Sequence, residues 1–119
     1  GLPPRMEGMG VIDWDRVATL RNEIGADDFE EVANLFLEEA EEVIGRLRDG
    51  ANGLRLVDEL HALKGSALNL GFGELAVMLQ DKERRVARGE PISTDRIVAC
   101  YAASRAAFST GIARMNSAA

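Results

Sequence analysis

The chain has 119 residues, 46% of them hydrophobic, which is room for one domain with a core of ordinary size and excludes a disordered polymer. Only 5% are aromatic and three are proline, so packed helices are favoured over sheets. Fourteen basic against twenty acidic side chains leave a net charge of −6, which excludes a non-specific nucleic-acid binder and disfavours an anionic membrane surface.

Residues 1–10, with three glycines and two adjacent prolines, read as a flexible tail ahead of a single domain over residues 11–119. Asp13 offers an N-cap oxygen to a short first helix through Trp14, Val17, Leu20 and Ile24, and Gly25 supplies its stop. A second helix is expected from Asp27 or Asp28, with Glu30 returning the capping bond, to Asp49 and Gly50. Its core stripe reads Phe29, Val32, Phe36, Ala40, Val43, Leu47. Asn52 and Gly53 mark a turn, after which Leu56, Leu60, Leu63, Ala67 and Leu70 repeat on one face until Gly71. Gly71 and Gly73 bracket a tight turn into a fourth helix with Leu75, Met78, Leu79, Lys82 and Val86 on its inner side. Gly89, Pro91 and Ser93 interrupt it. Ser93 or Thr94 caps a fifth, whose apolar side carries Ile97, Val98, Tyr101, Ala102, Ala106, Phe108, Ile112 and Met115. Short connections make neighbours antiparallel, so the expected fold is all-α: an up-and-down four-helix bundle with the short N-terminal helix across one end.

No apolar run approaches the roughly 20 residues of a spanning helix, and no charged leader opens the chain, so a soluble cytoplasmic protein is expected. The lone Cys100 closes no intrachain disulfide, and with a single histidine it builds no zinc site of the usual ligands; it reads as core filler. Between Arg21 and Arg46 lie nine acids and no basic residue, a solvated face or one that selects partners by charge.

The histidine changes the reading. From His61 the chain runs His-Ala-Leu-Lys-Gly-Ser-Ala-Leu-Asn-Leu-Gly, which puts Lys64 and Gly65 three and four residues on, beside the imidazole on one helical face. Glycine inside a helix costs roughly 0.5–1 kcal/mol, so something offsets Gly65: either another backbone packs close, or a bulky group on the imidazole needs the space. A compact ammonium at Lys64 suits a phosphoryl oxygen. His61 stands ten residues before Gly71 and Glu83 ten beyond Gly73, with Gln80 one turn nearer the loop. An antiparallel helix pair therefore lets either residue reach the ring, fix its tautomer and leave the other nitrogen exposed as a nucleophile.

These residues closely resemble the signature of histidine-containing phosphotransfer (HPt) domains of bacterial phosphorelays. The similarity runs from Val11 to the last helix and takes in Ile12-Asp-Trp-Asp, Gly25-Ala-Asp-Asp-Phe and Phe36-Leu-Glu-Glu-Ala. The resemblance implies that His61 is the phosphoryl acceptor, that Lys64 assists near the phosphate, that Gly65 keeps the site open, and that Glu83 bonds the imidazole. It implies a relay intermediate without kinase activity or cofactor of its own, which takes phosphate from a receiver aspartate of a hybrid sensor kinase and passes it to a response regulator. Magnesium is expected on the receiver domain. Leu68, two turns beyond His61, and then Leu37 are the candidates for receiver docking. A monomer is favoured, since no heptad run argues for a dimer. The rivals are an unphosphorylated bundle that sequesters a receiver, an enzyme with His61 as general base, and the phosphorylated domain of a chemotaxis-type kinase.

Overall fold

The computed structural model describes residues 11–50 and 55–118. The expected tail over residues 1–10 and the turn at Asn52 and Gly53 lie outside the described residues. Five helices follow one another: α1 (Trp14–Ile24), α2 (Ala26–Arg48), α3 (Leu56–Leu70), α4 (Gly73–Ala87) and α5 (Asp95–Ala118). No strand occurs among the described residues. α3 packs on both α2 and α4, and α5 packs on α4 and α2, so the four longer helices close a bundle on which α1 rests against α2 and α3.

Asp13, in an extended conformation, accepts the Arg16 N–H at 3.2 Å and caps α1, whose Val17 and Leu20 turn inward. α2 begins earlier than expected and without the Asp27–Glu30 capping box: it starts at Ala26, and Gly25 serves both as the stop of α1 and as the uncapped entry to α2. With φ at +90°, that glycine redirects the chain in a single residue, which leaves no separate linker to be capped. Asp27 and Asp28 instead occupy the first turn, at the positive end of the helix dipole.

The phase of α2 also differs from expectation. Apolar pairs at Val32-Ala33 and Phe36-Leu37 offer two stripes one residue apart, and packing selects the one through Phe29, Ala33, Leu37, Ala40 and Leu47, while Val43, as expected, and its neighbour Ile44 are both buried. Val32 and Phe36 are only half-buried. On α3 the inner face is the expected one, with Leu60, Leu63, Ala67 and Leu70 buried. On α4, Ala76 joins Leu75 and Leu79 inside. On α5 the buried residues are Ile97, Cys100, Tyr101, Ser104 and Phe108, while Ala102 and Ala106 face solvent. α5 begins one residue after Thr94, whose carbonyl accepts the Val98 N–H at 3.0 Å.

Two long-range features seat α1. Gly71 ends α3 in the left-handed region at φ +75°, and its carbonyl accepts the Asp13 N–H at 2.6 Å. A Cβ there would stand 2.7 Å from the Asp13 carbonyl oxygen and 2.9 Å from a Val17 methyl. Gly71→Ala should therefore cost about 1–2 kcal/mol through backbone strain, with the Asp13 carbonyl forced to move. Thermal denaturation should show a melting temperature several degrees lower, and an unchanged one would mean that α1 is not seated on the end of α3. At the same end of α1, Trp14 stacks on Phe108 with ring centroids 6.2 Å apart, and Gly111 makes room, because a Cβ there would overlap the indole. Phe72, in the turn between α3 and α4, is fully buried and edges onto Phe108 at 5.6 Å and Tyr101 at 6.0 Å. Tyr101 donates to Glu41 at 2.8 Å, while Asn116 donates to Glu30, so α2 and α5 run antiparallel. Cys100 is buried, and desolvation together with nearby Glu74 pushes its thiol up, away from the reactive thiolate.

Candidate functional site

α3 is buried along Leu60, Leu63, Ala67 and Leu70, and this fixes what its opposite face shows. The His61 side chain is 74% exposed there. Gly65, one turn on, is exposed too, and a Cβ built on it would meet nothing within 4 Å. No second backbone approaches this glycine, which removes close helix packing as the reason for it and leaves open space beside the imidazole. Leu68, a further turn along, is 54% exposed.

The tight turn at Gly71 and Phe72 folds α4 back along α3, and the equal spacing from the turn brings Glu83 opposite His61. Nδ1 of His61 lies 3.2 Å from Oε1 of Glu83, and Nζ of Lys64 donates to Oε2 of the same carboxylate at 2.9 Å. Lys64 and Glu83 are each more than four-fifths buried, so one anchored carboxylate holds both the ammonium and the ring. An ionised carboxylate only accepts hydrogen bonds, so the ring proton sits on Nδ1, and Nε2 keeps its lone pair on the exposed side. Gln80 is exposed and makes no hydrogen bond to the ring; one turn before Glu83, it leaves the contact to that residue.

Leu37 is only 5% exposed and belongs to the core, so it offers nothing to a docking partner. The expectation that it forms part of such a surface is corrected by the phase of α2 that packing selects. Sequence reasoning missed Val57, four residues before His61 and 40% exposed, although the i, i+4 spacing carries that signal. The exposed stripe of α3 thus runs Val57, His61, Gly65, Leu68. Glu59, on another face, accepts from Arg46 of α2 at 2.6 Å. Among the described residues, no three or more His, Cys, Asp or Glu side chains are grouped to hold a metal ion.

Comparison with known proteins decides the family. Residues 31–115 match the Hpt domain. The chain belongs to the Hpt domain family. Two curated relatives, each described as phosphorelay protein LuxU, come from Vibrio vulnificus strains YJ016 and CMCP6. Each is 32% identical to this chain over 95 residues, covering 76% of this chain and 83% of the relative. No solved structure matches at a significant level. Membership in the Hpt family carries a general role as a phosphorelay intermediate rather than a kinase. No helix among the described residues is long and apolar enough to cross a membrane.

Proposed function

We propose that this Hpt domain accepts a phosphoryl group on Nε2 of His61 from a receiver-domain aspartate of a hybrid sensor kinase and passes it to the receiver aspartate of a response regulator. The single observation that carries this reading is the Glu83 carboxylate on Nδ1 of an imidazole whose other nitrogen faces solvent. In the forward step the Nε2 lone pair attacks phosphorus, the N–P bond forms, and the P–O bond breaks to release the donor's aspartate carboxylate. The proton on Nδ1 stays, so the ring becomes a phosphorylated imidazolium, and the anionic Glu83 stabilises the charge that develops on it. Passing the group on is the same step in reverse with a different carboxylate.

Gly65 leaves the volume that the phosphoryl oxygens occupy. Lys64 holds Glu83 and stands on the same face, within a side chain's reach of that volume. The chain supplies no cofactor of its own in this scheme; magnesium bound by the receiver neutralises charge on the transferring group. Val57 and Leu68 flank His61 with exposed apolar surface against which a receiver can pack. Such a carrier works in the cytoplasm as a monomer.

Incubation with a phosphorylated receiver tests the reading. It predicts acid-labile, base-stable phosphate on this chain, whereas a bundle that only sequesters receivers would bind without gaining label. Lys64→Ala should still take up phosphate, about three- to ten-fold more slowly, because Glu83 loses one hydrogen-bonded anchor. Single-turnover transfer kinetics would read that difference, and a variant as fast as wild type would remove Lys64 from the site.

A further inference from the structure

Gly65 leaves α3 thin where it is most exposed, one turn from the imidazole, and a glycine in mid-helix loosens the backbone around it. Asn69, four residues on, donates from Nδ2 to the Gly65 carbonyl at 3.0 Å. Its Oδ1 accepts from Nη2 of Arg16 on α1 at 3.1 Å. A guanidinium only donates, so Arg16 fixes which end of the amide faces it and turns the NH2 group toward Gly65. Nε of Arg16 also lies 3.4 Å from the Leu68 carbonyl. An open hollow of about 300 Å³ is lined by Asp13, Arg16, Leu68, Asn69 and Gly71 among others, so direct packing does not fill the space between α1 and Leu68. Side chains 53 residues apart thus bridge α1 to the one weak turn of the exposed stripe.

We propose that Arg16 and Asn69 are positioning residues for receiver docking: they brace α3 at Gly65 and so hold Leu68 in register with His61. This rests on the phosphohistidine reading for its partner and on the hydrogen bonds alone for the brace. His61 itself is anchored from α4 through Glu83, on the other flank of α3, so the brace acts on docking and not on the transfer step.

The test compares wild type with Asn69→Ala and Arg16→Ala. Amide hydrogen exchange of the free chain should speed up across residues 65–70 in both variants, with α2 and α5 unchanged. In transfer from a phosphorylated receiver, KM should rise about three- to ten-fold, the value of one lost hydrogen bond, while the first-order rate at saturating receiver stays within about twofold of wild type. Unchanged exchange at residues 65–70, or a fall in the saturated rate with KM constant, would overturn the proposal. Wild type that takes no label from any receiver would instead sink the phosphohistidine reading, and the exchange data would still decide the brace.

Discussion

His61→Gln is expected to reduce phosphoryl uptake to background while leaving the fold intact. The chain has one histidine, and the lone pair of a glutamine amide nitrogen is delocalised into its carbonyl, so no nucleophile remains on the stripe. The side chain is 74% exposed and contributes little to packing; stability should change by no more than about 0.5 kcal/mol. Labelling from a phosphorylated receiver, with a thermal melt as control, checks both halves. A folded variant that labels like wild type would place the acceptor elsewhere.

Glu83 should rank next. Its carboxylate accepts from both Nδ1 of His61 and Nζ of Lys64, and hydrogen bonds to charged groups are worth about 1.5–3 kcal/mol. At 1.36 kcal/mol per tenfold, Glu83→Ala should slow single-turnover transfer by roughly 10- to 100-fold. Glu83→Gln keeps a carbonyl oxygen for the Nδ1 proton but gives up the charge that stabilises the phosphorylated ring, so its loss should be intermediate. Transfer by Glu83→Ala at the wild-type rate would mean that the ring needs no orienting partner.

What the chain discloses on reading follows the range of each interaction. The N-cap at Asp13, the end of α3 at Gly71 and the inner face of α3 depend on residues within a few positions of one another, and all were legible. So was the grouping of His61 with Lys64 and Gly65, which needs only the helical period. The meeting of His61 with Glu83 required one tertiary assumption, an antiparallel neighbour across a tight turn, and the choice between Glu83 and Gln80 stayed open until the helices were packed. The phase of α2 could not be read, because two apolar stripes one residue apart satisfy the same period and only the surrounding helices select between them; Leu37 was misread for that reason. Trp14 against Gly111, and Arg16 against Asn69, join residues more than fifty positions apart and leave no local trace.

Because a single histidine supplies every imidazole signal, nitrogen-15 NMR of chain labelled only at histidine reads the decisive ring without assignment. Before phosphorylation the spectrum should show a proton on Nδ1, and afterwards a phosphorus coupling on Nε2. Phosphorus on Nδ1, or a phosphorylated chain whose imidazole resonances have not moved, would contradict the account of Glu83 holding one nitrogen so that the other can carry the phosphoryl group.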